Sequence, residues 1–263
     1  MHITCEGKRA FVCGSTDGIG QACAIVLAEL GASITLIARN EQRLSATLKK
    51  LKTNPQQNHD FIAADFTEPD ILKEKVDAYL SDGKTTHILV NNSGGPPEGK
   101  TAMMTDSSDF INTFNQHLIC FHILSQAVVP GMIKTGYGRI INVTSSTAKQ
   151  PENLAVLTNT LRPAIGNWAK TLANELGKYG ITVNNVLPEY IVTKRLNSFL
   201  EEVIKTTGKS KERVVEEHQK MIPTARFGQP KEVAWAVAFL ASPSAAYING
   251  INLPVDGGYL RSL

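Results

Sequence analysis

The sequence predicts a single α/β domain with a doubly wound, Rossmann-like parallel sheet, and three observations support this fold class. Short apolar runs alternate with amphipathic stretches along the chain, and the runs are nearly continuous, as in strands covered on both faces. The chain has 263 residues, a length at which open α/β sheets commonly form one domain. Hydrophobic residues make up 42% and charged residues 19%, which is typical of globular proteins and excludes a disordered chain.

Seven strands are predicted from the apolar runs: Arg9–Cys13, Ser33–Ala38, Asp60–Ala64, His87–Asn91, Arg139–Val143, Thr182–Leu187 and Asn252–Val255. Six helices are predicted from amphipathic periodicity: Gly18–Leu30, Glu41–Leu51, Pro69–Leu80, Ser107–Thr135, Ala155–Lys178 and Pro230–Ala241. Gly31 and Gly180 stand where a left-handed residue ends a helix. Because strands and helices alternate, we expect right-handed crossovers and helices on both faces of the sheet.

One segment departs from this alternation. Residues 194–223 are charged, helical in pattern, and placed between the sixth strand and the last helix. A segment of this length outside the sheet indicates a lid over the substrate or a surface that binds a partner. The alternative is an insertion without a functional role. The chain shows no Pro/Gly-rich linker, so residues 1–263 are predicted to form one domain that carries this insertion.

Charge and composition argue against several function classes. The net charge of +3 is small and dispersed, which does not indicate a nucleic-acid or membrane-surface partner. No apolar run approaches the ~20 residues of a membrane span, and the N-terminus lacks the apolar core of a signal peptide. The four cysteines lie in apolar contexts without metal-binding spacing. We therefore expect buried free thiols, a cytoplasmic location and no metal.

The first predicted strand runs into a glycine-rich turn and then a helix. The turn reads Gly14-Ser15-Thr16-Asp17-Gly18-Ile19-Gly20. Glycines allow a tight turn and a close approach of the backbone, and the free N–H groups at the helix start then face a pyrophosphate. This context predicts a dinucleotide site, with a plain tight turn as the alternative.

The Gly-x-x-x-Gly-x-Gly spacing resembles the short-chain dehydrogenase/reductase family, and in particular its 3-oxoacyl-carrier-protein reductases. The Asn91-Asn92-Ser93-Gly94 run is similar to the family's Asn-Asn-Ala-Gly, and residues 226–230, 239–242 and 255–258 are similar to its C-terminal signature. Pro188, Ile191 and Thr193 resemble its Pro-Gly-x-Ile-x-Thr segment beside the nicotinamide, although Glu189 replaces the glycine. The resemblance extends over almost the whole chain.

The resemblance implies a set of cofactor-binding residues. Asp65 matches the acidic residue that meets the adenine amino group, and Phe66 follows it. The full predicted set is Gly14, Ser15, Thr16, Gly18, Ile19, Gly20, Arg39, Asp65, Phe66, Asn91, Ser93, Gly94, Arg162, Pro188, Ile191 and Thr193.

The end of the second strand bears on the choice between NADP(H) and NAD(H). NAD-binding sites generally place a carboxylate there for the ribose 2′-OH, whereas a 2′-phosphate requires a cation. Ala38 stands at the carboxylate position and Arg39 follows, so NADP(H) is favoured. Asp17 argues the other way, because many NADP-preferring relatives carry a basic residue there. Arg39 has the alternative role of a solvated partner of Glu41.

The family's catalytic Asn, Ser, Tyr and Lys are mostly replaced. Counting from the Ala169–Ala173 helix segment places the Tyr at Thr158, the Lys at Arg162 and the Ser at Ser145, and the Asn position falls at His117. The chain therefore lacks the Tyr-x-x-x-Lys pair. A threonine hydroxyl ionises far less readily than a phenol, and arginine does not release a proton in proteins.

Other groups are then candidates for the proton donor, namely His117, Lys149 and Tyr190. Pro163 also indicates that the helix carrying Thr158 and Arg162 starts late or kinks. The resemblance implies an oxidoreductase that acts on a small-molecule carbonyl or alcohol with an atypical proton relay. The alternatives are a cofactor-binding protein without turnover, as a sensor or assembly partner, and lyase- or epimerase-like chemistry. The long helices 107–135 and 155–178 resemble those that pair in family dimers and tetramers, which predicts a homo-oligomer.

Overall fold

Seven parallel strands form the central sheet of the computed structural model, which describes residues 3–97 and 99–262. They are β1 (Arg9–Cys13), β2 (Ser33–Ala38), β3 (Asp60–Ala63), β4 (Ile88–Asn91), β5 (Gly138–Val143), β6 (Ile181–Pro188) and β7 (Asn252–Val255). Their spatial order is β3-β2-β1-β4-β5-β6-β7. The predicted fold class is confirmed, and each predicted strand is present with its ends shifted by at most one residue. Residues 1, 2, 98 and 263 of the predicted domain lie outside the described ranges.

Nine α-helices surround the sheet in the described part of the chain. They are α1 (Gly18–Glu29), α2 (Glu41–Leu48), α3 (Pro69–Ser81), α4 (Ser107–Phe114), α5 (Cys120–Thr135), α6 (Val156–Leu176), α7 (Lys194–Thr207), α8 (Lys211–Lys220) and α9 (Pro230–Ala241). The predicted helix over 41–51 ends earlier, at Leu48. Gly31 and Gly180 adopt left-handed φ values of +92° and +75°, as predicted. Pro163 neither delays nor interrupts α6, which begins ahead of it at Val156.

Alternate side chains of each inner strand face opposite layers of helices. Ala10 and Val12 of β1 pack in the apolar cluster that contains α1 and α9, whereas Phe11 and Cys13 pack in the cluster that contains α3, α5 and α6. This alternation is the period of two expected of a strand. It explains why β1 reads as a continuous apolar run, because both of its faces are covered.

The predicted helix over 107–135 is a single helical stretch with a π-turn inside it. Residues Asn115–Ile119 form the π-turn between α4 and α5. By length and composition alone this stretch meets the requirement for a membrane span, so the expectation that no such apolar run exists was wrong. In the fold, Phe121, Leu124 and Val128 of α5 are completely or almost completely buried against neighbouring elements. Packing in the core therefore accounts for these residues of α5, whereas Ile111 and Ile119 of the same stretch remain exposed.

The insertion at residues 194–223 folds as two helices, α7 and α8. Gly208 ends α7 with a φ of +68°, and Ser210 caps α8 by accepting from the Arg213 amide. Leu196, Leu200 and Val214 are buried in a small apolar cluster between the two helices. The segment thus has more apolar contact than its charged composition indicates.

The carboxyl ends of the strands define where a ligand site forms. From β1 the chain adds β2 and β3 on one side of the sheet, and from β4 it adds β5 to β7 on the other side. The point between β1 and β4 is therefore the topological switch point of the sheet. In open α/β sheets the crevice at this switch point is the usual binding site. The loops that follow β1, β4, β5 and β6 meet there.

Candidate active site

The turn after β1 has a backbone path that depends on its glycines. Gly14 has a φ of +57°, which side-chain-bearing residues rarely adopt. A Cβ at Gly20 would lie 2.3 Å from the Gly14 carbonyl oxygen. Asp17 caps α1 by accepting from the Gly18 amide at 2.8 Å. The N-terminus of α1 therefore starts directly at the carboxyl end of β1, and its unbonded amides form the kind of site that holds phosphate.

Cationic side chains surround the first turn of α1 and the start of α2. Asp17 pairs with Arg43 at 2.9 Å and with Lys194 at 2.7 Å, and the Lys194 hydrogen bond is the main cause that lowers the pKa of this carboxyl. Arg39 is exposed, and within residues 3–97 and 99–262 it makes no ion pair with Glu41 or any other residue. The negative charge of Asp17 is thus balanced by two cations, and Arg39 stays available at the end of β2.

Asp65 and Phe66 lie at the other end of the crevice, after β3. Asp65 is half-buried, and one of its carboxylate oxygens accepts from the Thr67 amide at 3.0 Å. Phe66 packs against the apolar core, and its carbonyl accepts from the Cys120 thiol. The structure therefore places this predicted pair on the same side of the switch point as Arg39.

A cavity of about 350 Å³ lies beyond the carboxyl ends of β4, β5 and β6. Its volume is in the range of small-molecule sites. The predicted site residues that line it are Ile19, Ser93, Ser145, Thr158, Arg162, Pro188, Ile191 and Thr193. Arg39, Asp65 and His117 do not belong to this wall. The structure thus brings together the predicted residues of the nicotinamide half and the substrate site.

Asn91 takes part in a row of asparagines that crosses four strands. It donates to Asn142 at 2.9 Å, Asn142 donates to Asn185 at 2.8 Å, and Asn185 donates to Asn252 at 2.8 Å. Each bonded pair is also a register pair of neighbouring strands. The resemblance assigned Asn91 to cofactor binding, and the structure shows it joining β4 to β5.

Ser145 lies just past β5 beside a buried carboxyl group. Its hydroxyl donates to Glu189 Oε2 at 3.3 Å, and the Ser146 hydroxyl donates to the same oxygen at a shorter distance. Glu189 lines the cavity directly after β6. Burial raises the pKa of this carboxyl, and the nearby Glu152 raises it further. Glu189 is visible in the sequence as a departure from the family's glycine, but its serine partners are not.

Thr158 and Arg162 lie one turn apart on α6 and both face the cavity. Their spacing of four residues puts them on one face of the helix. Both side chains are buried, with 4% and 5% of the residue surface exposed. The site thus contains a hydroxyl and a permanent positive charge in the two positions that the predicted register assigns to Tyr and Lys.

His117 is buried in the π-turn rather than in the cavity wall. Its Nδ1 lies 2.5 Å from the Ser93 hydroxyl, and its Nε2 has no hydrogen-bond partner in the described part of the chain. Burial, followed by the positive charges of Arg162 and Arg195, lowers its pKa to about 3. The imidazole is therefore neutral near pH 7 and contacts the cavity through Ser93.

Tyr190 and Tyr259 line the cavity and belong to a cluster of aromatic side chains. The Tyr190 ring packs edge-on against Tyr259 at a centroid distance of 5.3 Å and stacks on Phe227 at 6.0 Å. The Tyr259 hydroxyl donates to Glu152 at 2.7 Å. Tyr190 has a φ of +47°, a strained backbone for a non-glycine residue, which is common at functional sites. Sequence reasoning did not select Tyr259, Glu152 or Phe227, which are far apart in the chain.

The residues present fit a nicotinamide dinucleotide. The glycine turn keeps the α1 amides at the middle of the crevice, with Arg39 and Asp65 on one side and the cavity on the other. A Cβ at Gly94 would meet no atom within 4 Å, so the backbone after β4 borders open space beside Ser93. A ligand with an adenine half and a nicotinamide half therefore has room along the crevice.

Comparison with known proteins agrees with this geometry. The family described as Enoyl-(Acyl carrier protein) reductase matches residues 14–260. The 3-oxoacyl-[acyl-carrier-protein] reductase FabG of Vibrio cholerae is 34% identical over 255 residues, which cover 96% of this chain and 97% of that protein. The NADPH-dependent reductase BacG of Bacillus subtilis is 30% identical, with 97% and 99% of the two chains covered.

A solved structure extends the agreement to three dimensions. The L-sorbose reductase of Gluconobacter frateurii, in complex with NADPH and L-sorbose, superposes with a TM-score of 0.93 at 31% identity and 100% coverage of both chains. The family match over residues 14–260, the relatives matched over nearly the full length and the close structural superposition lead to one conclusion: this chain belongs to the short-chain dehydrogenase/reductase family.

Proposed function

We propose that the protein is an NADP(H)-linked oxidoreductase that interconverts a small-molecule carbonyl compound and its alcohol. The observation that carries the proposal is that Ser145 lines a cavity at the carboxyl end of β5, close to the glycine turn. The cofactor supplies or accepts the hydride. The residues of the chain bind and orient the reactants and move the proton.

The glycine turn and the α1 N-terminus hold the pyrophosphate, and Asp65 holds the adenine amino group. Ser93, Gly94, Pro188, Ile191 and Thr193 border the nicotinamide, and Arg162 reaches its ribose. We assign NADP(H) over NAD(H) because Arg39 offers a cation to the 2′-phosphate and Ala38 offers no repulsion. The NADPH named for the BacG reductase and for the sorbose reductase complex supports this choice.

Ser145 holds the substrate oxygen by a hydrogen bond. Thr158 and Arg162 replace the phenol and the ammonium, so Arg162 supplies a positive charge but no proton, and Thr158 supplies a hydroxyl that does not ionise near neutral pH. General acid–base assistance is typically worth about 10²–10⁴ in rate. The relay must therefore obtain its proton from another group in the cavity.

The proposal also covers the segment beside the cavity, the oligomeric state and the location of the protein. Segment 194–223 acts as a lid, because Arg195, Leu196 and Phe199 near its start line the cavity. The chain forms a homodimer or homotetramer through the helical stretch 107–135 and α6, where Ile111 and Ile119 expose 61% and 40% of their surface. The four cysteines are free and buried, as predicted, which supports a location in the reducing cytoplasm.

A turnover panel tests the function. We expect NADPH oxidation with some members of a panel of ketones, aldehydes, ketoses and oxo acids, and NADP⁺ reduction with the matching alcohols. Binding of NADPH without turnover on the whole panel would favour the second candidate, a cofactor-binding sensor or assembly partner. The observation that favours this second candidate is Thr158, which stands where the resemblance expects a catalytic tyrosine.

A further inference from the structure

We propose that Glu189 is the catalytic proton donor of this protein, and that its carboxyl group protonates the substrate oxygen held by Ser145. The inference rests on the proposed carbonyl reduction and names the group that takes the place of the missing phenol. It assigns a catalytic role to a side chain that enters the site from β6, where the family pattern has a glycine.

The distances allow one substrate oxygen to contact both groups. Ser145 Oγ and Glu189 Oε2 are 3.3 Å apart, and both residues line the cavity. Two oxygens at this separation both come within 2.5–3.0 Å of a third oxygen placed between them, which is the ordinary O–H···O distance. A carbonyl oxygen bound by the Ser145 hydroxyl therefore lies within direct reach of the Glu189 carboxyl.

The two serines have separable roles. Each hydroxyl has one proton to donate, and both point it at Glu189 Oε2, with the Ser146 contact the shorter of the two. When a substrate binds, the Ser145 hydroxyl turns to the substrate oxygen and Ser146 alone keeps Glu189 in place. Oε2 is the carboxyl oxygen within reach of the substrate oxygen, so it carries the acidic proton once the Ser145 hydroxyl has turned away.

The surroundings favour the protonated form of Glu189. No cation forms an ion pair with it among residues 3–97 and 99–262, and Glu152 adds a second negative charge nearby. Among the described residues, the other titratable or charged groups that line the cavity are Tyr190, Tyr259, Arg162 and Arg195. Burial and Glu152 both raise the pKa of Glu189. A carboxyl whose pKa is raised in this way is a suitable general acid.

The donors considered from the sequence are placed less well. His117 is neutral, already bonded to Ser93, and absent from the cavity wall. Burial raises the pKa of Tyr190 to about 12, so its phenol holds its proton strongly near neutral pH. Lys149 is exposed at the surface and does not belong to the described lining.

The step balances without a further reagent. In reduction, the carbonyl carbon receives the hydride that the reduced cofactor supplies, and the π electrons of the C=O bond move to its oxygen. The bond between Glu189 Oε2 and its proton breaks, and the proton forms the new O–H bond of the alcohol. Glu189 is left as a carboxylate that accepts from Ser146, and water returns the proton. Oxidation runs through the same transfers in reverse.

The test compares Glu189→Gln with Glu74→Gln, an exposed glutamate of α3, as the matched control. We expect Glu189→Gln to lower carbonyl reduction by about 10²–10⁴-fold while NADPH affinity is retained, and the control to match the unmodified protein. Glu189→Asp, which keeps the acid, should recover part of the rate. For the unmodified protein, kcat/KM for reduction should fall as pH rises through the Glu189 pKa, and this limb should vanish in Glu189→Gln.

A second readout needs neither turnover nor cofactor. Infrared spectra of the cofactor-free protein should show the band of a protonated carboxyl that persists to higher pH than surface carboxyls do and that is lost in Glu189→Gln but not in the control. Turnover that keeps its rate and pH profile in Glu189→Gln, or the lack of that band, would overturn the acid role alone. Absence of turnover in the unmodified protein across the whole panel would overturn the proposed function and the acid role with it.

Discussion

The Asp17 carboxylate lies 2.7 Å from the Lys194 ammonium group, so the residue that caps α1 also contacts the first residue of α7. The contact joins the glycine turn to the start of the lid segment, residues 194–223. Both side chains are largely exposed, and exposed ion pairs contribute at most about 1 kcal/mol. The connection between segment 194–223 and the glycine turn is therefore weak, which is compatible with the proposed opening and closing of this segment.

We expect the lid segment to exchange its amide hydrogens faster than the seven strands in the absence of ligand. The small cluster formed by Leu196, Leu200 and Val214 is the main apolar contact that holds it. Protection should increase when NADPH and substrate are bound, because the start of α7 lines the cavity. Helix α9, which packs on the core, serves as the reference in the same mass-spectrometric measurement. A lid as protected as the strands in both states would contradict the prediction.

Arg39→Ala should weaken NADPH binding by about ten- to a hundredfold and leave NADH binding nearly unchanged. A hydrogen bond to a charged group is worth roughly 1.5–3 kcal/mol, and Arg39 has no competing ion pair in the described part of the chain. Fluorescence titration of both cofactors measures this, with the exposed Lys49→Ala as control. Equal affinity of the unmodified protein for the two cofactors would refute the assignment.

Ser145→Ala should depress kcat on the true substrate while cofactor affinity stays the same. The hydroxyl lines the cavity, and the Thr147 amide also donates to it, so a small loss of stability is expected as well. Steady-state kinetics with Ser81→Ala, an exposed serine of α3, as the control separates the two effects. Full turnover in Ser145→Ala would remove this residue from the site.

His117→Asn should make the stability of the protein less sensitive to acid. The folded state holds the His117 pKa near 3, below its ordinary value of 6.5. Between these values the unfolded chain binds a proton that the folded chain does not, so the free energy of unfolding falls as pH drops through that window. Urea unfolding at pH 7 and pH 4.5 should show a smaller difference for His117→Asn than for the unmodified protein. The same difference in both proteins would mean that His117 is not the residue responsible, and His122→Asn provides the control.

Much of the fold was predictable because the information is local. Continuous apolar runs such as that of β1 predict covered strands, and Gly31 and Gly180 predict helix ends without knowledge of the tertiary structure. The π-turn around His117 was not predictable, since an α-helical period was assumed through residues 115–119. That assumption placed His117 towards the site, whereas the structure buries it behind Ser93.

The parts of the site that were missed depend on register between distant strands. The bond between Asn142 and Asn185 requires both residues to occupy paired positions on β5 and β6, which the local pattern does not reveal. The same holds for Glu189 and Ser146, which are 43 residues apart. The signal available in the sequence was Glu189, a charged residue directly after a buried strand. Its serine partners can be identified only when the strand that pairs with β6 is known.

The double change Thr158→Tyr with Arg162→Lys should restore a phenol-based proton relay. Both positions face the cavity from one side of α6, so a phenol at 158 extends into the cavity that Ser145 lines, and a lysine at 162 lies one turn away. The ammonium group would lower the pKa of the phenol from ~10 towards neutral pH. Reduction of generic carbonyl compounds should then rise by up to ~10²-fold if proton transfer limits the rate.

Thr158→Tyr alone should give a smaller gain, because the planar guanidinium of Arg162 is shaped differently from an ammonium. Combining the double change with Glu189→Gln separates the two acids. Activity that survives in the triple variant comes from the new phenol, whereas activity that is lost still depends on Glu189. Loss of the native activity with no new activity in the double variant would show that Thr158 and Arg162 serve a different chemistry, and the predicted register would then no longer support a modified reductase.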